Sequence, residues 1–170
     1  MNIRDCRIED AEIIHRELGC NPAMTRYTGW NPYTTLDSTR NFLENTIHAD
    51  KGFSWSIEQD GTVVGTIGAY DYDEEDGSIE LGYSVFQKHW GRGYATRAVA
   101  LACDELASRP EIRRVKAWSA SENAASKKAL ERNGFRETGI KGSAINVDGK
   151  AFDRVFYEKA LKLGSSAGGA

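Results

Sequence analysis

A turn rich in glycine and basic residues lies near the middle of the 170-residue chain. It reads Trp-Gly-Arg-Gly-Tyr-Ala-Thr over residues 90–96, between a segment that alternates like a strand and a segment with helical apolar spacing. Gly91 and Gly93 allow backbone conformations that a Cβ would forbid, and they let the backbone approach a ligand closely. The free amides and the dipole of the following helix favour negative charge in the turn. The turn is therefore predicted to hold a phosphate group.

Two common phosphate-binding patterns do not fit this turn. A Walker loop ends in Gly-Lys-Ser/Thr, and the corresponding residues here are Tyr94, Ala95 and Thr96. A dinucleotide fingerprint has Gly or Ala at its sixth position and an acidic residue at the end of the next strand. Here the sixth position is Thr96 and the next strand ends in Trp118-Ser119. A dinucleotide-binding oxidoreductase is therefore a disfavoured alternative.

The segments before the main sheet predict helices and an aromatic loop. A strand over 3–8 precedes a helix over 11–18, which Asp10 is expected to cap. A second helix is expected to start at Thr35. The aromatic segment 23–35 between the helices is predicted to be irregular, and its rings either cover a ligand site or pack against the core.

The rest of the chain predicts a mixed sheet. The expected elements are strands over 53–57, 63–70 and 79–86, a helix over 94–108, a strand over 112–118, a helix from Ser121 or Asn123 to a Gly134 cap, and a hairpin of 135–141 with 150–160. Asp60-Gly61 marks the first hairpin turn, the glycines of the second strand indicate a bulge or a close approach, and 71–77 reads as an acidic turn. The helical crossover makes the strand at 112–118 parallel to the strand at 79–86. The predicted class is α+β.

Composition limits the kind of protein. Hydrophobic residues at 40% and charged residues at 28% are typical of a globular chain, and the length suits one domain, predicted over 1–163. The tail 164–170 is flexible by composition. A formal net charge of -3 argues against a general nucleic-acid binder. Cys6, Cys20 and Cys103 form no CxxC pair, so neither a disulfide scaffold nor a metal site is expected. The N-terminus is no signal peptide and no run is long enough to span a membrane, so a cytoplasmic protein without membrane or nucleic-acid partners is predicted.

Three motifs, in order, resemble one family. Trp90-Gly91-Arg92-Gly93-Tyr94-Ala95 resembles the acetyl-CoA pyrophosphate loop of the GCN5-related N-acetyltransferases (GNAT). Asn123-Ala124-Ala125-Ser126 and Asn133-Gly134-Phe135 resemble the start and end of a helix in the subgroup that acetylates the N-termini of ribosomal proteins. The resemblance covers nearly the whole chain. It implies a sheet splayed at its centre with helices on both faces, and transfer of an acetyl group from acetyl-CoA to a primary amine by direct attack.

The sequence departs from the family pattern at two positions. Trp90 stands where the loop motif has Gln or Arg, although the loop amides supply the phosphate contacts. Leu130 stands where many members have a tyrosine general acid. The subgroup tends to use the serine of its helix-start motif instead, and that serine is present as Ser126.

The resemblance assigns site residues without a metal. The pyrophosphate falls to Gly91, Arg92, Gly93, Tyr94, Ala95 and Thr96, and the pantetheine arm to the main chain of Val85, Phe86 and Gln87 with Asn123 and Ser126. Ser126 is also the candidate general acid, unless it serves only as a helix cap. Glu80 is the candidate base, unless it merely faces solvent, and Tyr83 is its substitute. A basic neighbourhood suited to the 3′-phosphate comprises Lys88, Arg92, Arg97, Lys127, Lys128 and Arg132.

The acceptor stays open at this stage. The acidic turn 71–77 is compatible with a cationic amine or a basic peptide. A protein N-terminal α-amine, a polyamine, an aminoglycoside and an amino acid all fit, and the subgroup resemblance favours the first. A non-catalytic acyl-CoA-binding module is the alternative class. Family members are frequently homodimers.

Overall fold

The computed structural model describes residues 1–28, 35–145 and 149–162. In these ranges the strands, in chain order, are β1 (Asn2–Asp5), β2 (Phe53–Gln59), β3 (Thr62–Asp73), β4 (Ser78–Val85), β5 (Arg114–Ala120), β6 (Arg136–Ile145) and β7 (Ala151–Ala160). The α-helices are α1 (Ala11–Ile14), α2 (Pro22–Thr25), α3 (Leu36–Ile47), α4 (Tyr94–Ala107) and α5 (Ala124–Arg132). A π-helix over His15–Gly19 follows α1 directly. The α+β class is confirmed.

The described strands form one sheet in the order β1-β2-β3-β4-β5-β7-β6. Every neighbouring pair is antiparallel except β4 and β5, which are parallel as predicted. These two strands pair only from Ser78 opposite Arg114 to Glu80 opposite Lys116. Beyond that point β4 continues to Val85 and β5 continues to Ala120, but the two strands no longer pair with each other. The sheet is therefore splayed at its centre, as the family resemblance implies.

Helices cover both faces of the sheet. On one face α4 buries Val99 and Leu106 completely, in a core that includes Ile79 and Val115. On the other face α1 and α3 contribute to a second core that includes the fully buried Phe86 at the end of β4. Removal of these apolar side chains from water is what holds the helices against the sheet.

A glycine on β3 permits close approach of β4. A Cβ at Gly65 would lie 2.4 Å from the carbonyl oxygen of Ser84 and 2.9 Å from the Cα of Val85. No side chain fits there without moving backbone. The close approach predicted from the glycines of this strand is confirmed, and it fixes the end of β4 that leads into the glycine turn.

The N-terminal segment differs from the prediction in two ways. The expected helix over 11–18 is a short α-helix followed by the π-helix, and the Asp10 side chain does not cap it. Instead the Asp10 carboxylate accepts two hydrogen bonds from Arg4, at 2.8 Å each, and one from the Ser56 hydroxyl at 2.7 Å. A buried carboxylate is stabilised more by a charged partner than by a helix amide.

The segment predicted as irregular begins with a helix. The Asn21 side chain accepts a hydrogen bond from the Ala23 amide at 3.0 Å, so Asn21 caps α2, with Pro22 at the first helical position. Proline there is preorganised for a helix start, so Asn-Pro begins a helix as well as ending one. Trp30 and Tyr33 of this segment, with Asp148 and the tail 164–170, lie outside the described residues.

The ends of two strands differ from the expectation, and the start of one helix agrees with it. β3 extends to Asp73, so the acidic turn is shorter than the predicted 71–77. β6 reaches Ile145, beyond the predicted end at 141. Helix α3 starts after Thr35, whose hydroxyl accepts the Ser38 amide, as predicted. None of the helices in the described ranges has the length and apolarity needed to cross a membrane.

The Arg4–Asp10 pair predicts a pH-dependent stability. Burial alone would raise the pKa of Asp10, but hydrogen bonds from Arg4, Ser56 and the Arg7 amide outweigh it and lower the pKa to about 2. An unfolded aspartate titrates near a pKa of about 3.9. The pair's contribution of about 2 kcal/mol is therefore present above pH 4 and is lost as pH falls toward 2.

We expect Asp10→Asn to lower the free energy of unfolding at pH 7 by about 2 kcal/mol and to flatten its fall between pH 4 and pH 2. Urea unfolding at pH 7, 4 and 2.5 measures both effects. Asp37→Asn is the matched control, because the Asp37 side chain is 87% exposed. An equally steep acid fall in wild type and Asp10→Asn would contradict this assignment.

Candidate active site

The glycine turn has the geometry of an anion cradle. A 3-10 turn over Gln87–His89 follows β4, and Gly91 and Gly93 then take φ values of 75° and 73° in the left-handed region. The first hydrogen bond of α4 runs from the Arg97 amide to the Gly93 carbonyl at 3.2 Å. The amides of residues 94–96 therefore precede the helical hydrogen bonds and point out of the helix start. Such amides, with the positive end of the helix dipole, suit a phosphate.

Trp90 ties this turn to the sheet. Its indole Nε1 donates to the Val85 carbonyl at 2.7 Å, and its backbone amide donates to the Gln87 carbonyl at 3.1 Å. The departure from Gln or Arg at this position therefore has a structural consequence, because a side chain with one directed donor anchors the turn to the end of β4. Sequence reasoning missed this role, although a tryptophan beside a glycine turn offers an N–H that needs a partner.

The end of β4 exposes less backbone than predicted. The Phe86 amide donates to the Val64 carbonyl at 2.9 Å, and the Phe86 carbonyl accepts the His89 amide at 2.8 Å. Several main-chain groups of this stretch therefore already have partners, and the contact of Val85, Phe86 and Gln87 with the pantetheine arm stays a prediction. Backbone groups of an antiparallel strand alternate between its two sides. The Val85 amide consequently faces the opening toward β5.

Ser126 and Tyr83 meet at this opening. The Tyr83 hydroxyl lies 2.9 Å from Ser126 Oγ and 3.1 Å from the Ser126 carbonyl. The Tyr83 hydroxyl can donate a hydrogen bond to the Ser126 carbonyl and accept one from the Ser126 hydroxyl. The two hydroxyl groups are then linked by a hydrogen bond. Asn123 caps α5 by accepting the Ser126 amide at 3.2 Å, so the Ser126 hydroxyl is not the helix cap. The Asn123 oxygen is thereby used, and its NH₂ group is the part still available for a ligand.

Burial raises the pKa of Tyr83 to about 12, against the effect of its hydrogen bond to Ser126. The Tyr83 hydroxyl is therefore neutral across the physiological range and can supply a proton. A neutral tyrosine is a poor base, so Glu80 is the favoured one of the two candidate bases named from the sequence.

Glu80 lies on the other side of β4. It is three residues from Tyr83, and alternate residues of a strand face opposite sides of the sheet. Its carboxylate accepts a hydrogen bond from the Tyr70 hydroxyl at 3.2 Å. Burial and the nearby Glu80 charge raise the pKa of Tyr70, so Tyr70 is a donor to Glu80. The structure does not bring Glu80 into contact with Ser126, and sequence reasoning missed Tyr70.

Comparison with known proteins identifies the family. Residues 1–136 match the family model described as an acetyltransferase (GNAT) domain. The chain belongs to the GNAT family. Members of this family take the acetyl group from acetyl-CoA, and this chain is an N-acetyltransferase of that type.

The individual relatives of this acetyltransferase share less than a third of its residues in the aligned regions. Uncharacterized N-acetyltransferase p20 of Bacillus licheniformis is 27% identical over 167 residues, which cover 95% of this chain and 93% of the relative. A structure of RimL, a ribosomal-protein alpha-N-acetyltransferase, in complex with coenzyme A has a TM-score of 0.87 at 19% identity. The match covers 95% of this chain and 94% of the RimL chain. The spermidine N-acetyltransferase from Vibrio cholerae in complex with coenzyme A and spermine has a TM-score of 0.85 at 19% identity. This match covers 94% of this chain and 95% of the other. At this identity the structures show the fold.

The N-terminal helices of the acetyltransferase hold the 3-10 turn before the loop. The Asn21 side-chain amide donates to Gln87 Oε1 at 2.9 Å, and Lys88 Nζ donates to Glu17 Oε1 at 2.7 Å. The Lys88 hydrogen bond is the main cause of a lowered Glu17 pKa. The charge of Lys88 is therefore compensated by Glu17, and Lys88 adds little to the predicted basic neighbourhood.

The other members of that neighbourhood stay on the surface around the loop. Among the described residues, no carboxylate lies within ion-pair distance of Arg92, Arg97, Lys127, Lys128 or Arg132. The Asn133 side chain donates to the Thr96 carbonyl at 2.9 Å and fixes α5 against the start of α4. In the same part of the chain, no group of three His, Cys, Asp or Glu residues could hold a metal ion.

The Tyr83–Ser126 contact predicts a shared role in turnover. We expect Ser126→Ala and Tyr83→Phe each to lower kcat by about tenfold to a hundredfold with nearly unchanged acetyl-CoA affinity. If the two hydroxyls act as one donor, the double variant is no slower than the worse single variant. Steady-state kinetics and calorimetry measure the two quantities.

Tyr72→Phe is the control for this pair of variants, because the Tyr72 hydroxyl contacts the Glu111 carbonyl instead of Ser126. Full activity of Ser126→Ala would show that the serine hydroxyl takes no part in the reaction.

Proposed function

We propose that this acetyltransferase moves the acetyl group of acetyl-CoA directly onto a primary amine, and that the amine is a protein N-terminal α-amine. The observation that carries the proposal is the Tyr83–Ser126 pair beside the opening between β4 and β5. A neutral donor at this place suits protonation of a leaving thiolate. It argues against a non-catalytic acyl-CoA-binding module, which has no need of one.

The cofactor would lie along the splayed strands. The amides of residues 91–96 would receive the pyrophosphate, with charge from Arg92. The Val85 amide and the Asn123 NH₂ group would contact the arm from opposite sides of the opening. The sulfur end of acetyl-CoA would then reach the level of Ser126.

The residues divide the proton transfers between the two faces of β4. Glu80, directly or through a water, accepts a proton from the acceptor ammonium, because only the free amine attacks the thioester carbon. The carbonyl oxygen becomes an oxyanion, which the Val85 amide stabilises. When the C–S bond breaks, the sulfur leaves with the electron pair and takes a proton from the linked hydroxyls of Ser126 and Tyr83. The nitrogen, which still carries one proton too many after the attack, gives that proton through water to the same hydroxyls and so restores them. The products are the neutral N-acetylated amine, coenzyme A and the proton held by Glu80, which passes to solvent.

The choice of acceptor rests on sequence motifs and on structural neighbours. The Asn123-Ala124-Ala125-Ser126 and Asn133-Gly134-Phe135 motifs resemble those of ribosomal-protein acetyltransferases, and RimL is a structural neighbour. A polyamine is the second candidate, because a spermidine acetyltransferase has almost the same TM-score. A domain over 1–163 with a flexible tail, a cytoplasmic location and a homodimer stay predictions.

The loop assignment predicts the effect of charge at Gly93. We expect Gly93→Glu to abolish acetyl-CoA binding in calorimetry, because it places a carboxylate in the cradle. Gly93→Ala is the matched control: both variants strain a φ of 73°, but only one adds charge. Thermal unfolding shows whether each variant is folded. Unchanged affinity in folded Gly93→Glu would refute the loop assignment.

The base assignment predicts a pH-dependent defect. We expect Glu80→Gln to lower kcat/KM by about a hundredfold at pH 7, and by less as pH rises and the free amine becomes abundant. Glu12→Gln is the control, since the Glu12 side chain is 74% exposed. A pH–rate profile parallel to that of wild type would remove Glu80 from the mechanism.

A further inference from the structure

Arg154 lies on the same face of the sheet as Glu80. In the strand register Lys116 is opposite Glu80, and four residues along β5 Ala120 is opposite Arg154 of β7. Directly opposite residues share a face, and so do residues an even number apart on one strand. Arg154 thus lies on the face of the candidate base, about 13 Å further along the strands, toward the end where β4 and β5 are apart.

The Arg154 guanidinium is held on aromatic rings. Its central carbon lies 5.7 Å from the Trp118 ring centre and 5.6 Å from the Phe156 ring centre. Its Nε is buried and has no hydrogen-bond partner. No carboxylate of the described residues lies within ion-pair distance of it. Ring contacts stabilise the charge but leave the N–H unsatisfied, and a buried unpaired donor is costly.

A cavity lies beside one of the rings that hold this cation. Its volume is about 310 Å³, and its walls are Arg26, Tyr27, Glu122, Lys150, Ala151 and Phe152. The Phe152 ring stacks on Trp118 at 6.3 Å, so the cavity reaches the aromatic pair that carries Arg154. Two of the wall residues are cations and one is an anion. The cavity thus offers a ligand room next to the rings that hold Arg154.

Arg154 lies one strand away from the opening. Its strand, β7, is the neighbour of β5, and neighbouring strands lie about 4.8 Å apart. The opening lies on the other side of β5. A molecule whose amine reaches the opening and whose remainder extends over β5 would therefore approach Arg154.

We infer that Arg154 receives a carboxylate of the acceptor, and that the acceptor is an amine that bears a carboxylate close to the reacting nitrogen. The inference rests on the proposed function and names the substrate class of the same site. A polyamine carries only positive charge and would be repelled by Arg154. Two sources share the required chemistry: a free amino acid, and a peptide N-terminus followed by an acidic residue.

Acceptors that differ in one carboxylate test the inference. The first pair is phenylalanine and 2-phenylethylamine. The second pair is two C-amidated peptides that begin Ser-Asp and Ser-Asn, and spermidine is the all-cationic acceptor. Release of coenzyme A is followed for wild type, Arg154→Met and Arg154→Lys. Arg40→Met is the control, because Arg40 pairs with Glu12 and Asp37 on the helical surface.

We expect wild type to favour the carboxylate member of at least one pair by about tenfold or more in kcat/KM. The preferred pair distinguishes an amino acid from a peptide. Arg154→Met should abolish the preference without slowing the carboxylate-free member, and Arg154→Lys should restore part of it. Acetyl-CoA affinity should be unchanged in both variants.

An equal preference in Arg154→Met, or spermidine acetylated as well as the carboxylate acceptors, would overturn the inference while leaving the acetyltransferase function intact. Failure of the proposed function looks different, since wild type would then acetylate no acceptor. In that case calorimetry of the same acceptor pairs with wild type and Arg154→Met tests carboxylate binding directly, and equal binding overturns the inference.

Discussion

The early end of the pairing between β4 and β5 is the constraint on which the site depends. A gap in the middle of a sheet leaves backbone groups unpaired, so each bordering strand needs support from its outer side. Strand β4 is supported by pairing with β3 as far as Val85, and β5 is supported by pairing with β7 as far as Ala120. The two walls are thus held independently. The gap persists because the sheet continues on both sides of it.

The groups that face the gap are fixed by contacts outside it. The Trp90 indole positions the glycine turn on the Val85 carbonyl, and Asn123 holds the first turn of α5 so that the Ser126 hydroxyl is free of capping. Asn133 joins the two helices through the Thr96 carbonyl. Each contact is made before any ligand arrives, so the protein does not have to order these groups at the moment of binding.

Features that depend on local sequence were predictable. The glycine turn, the cap of α5, the Gly134 helix end and the crossover that makes β5 parallel to β4 all follow from short patterns, and three motifs led to the family. Features that depend on contacts distant in sequence were not. The Tyr83–Ser126 hydrogen bonds span 43 residues, and the face shared by Glu80 and Arg154 follows only from strand register. The use of Asp10 as an ion-pair partner also needed the position of Arg4 in three dimensions.

The contacts of Gln87 with Asn21 and of Lys88 with Glu17 join the segment before the glycine turn to the N-terminal helices. Phe86, in the core that includes α1 and α3, strengthens the same connection. Under the proposed function, a displacement of the glycine turn by acetyl-CoA would be passed to these N-terminal helices. Thermodynamic linkage makes such an effect mutual. Acetyl-CoA and any ligand that contacts these helices should thus bind cooperatively.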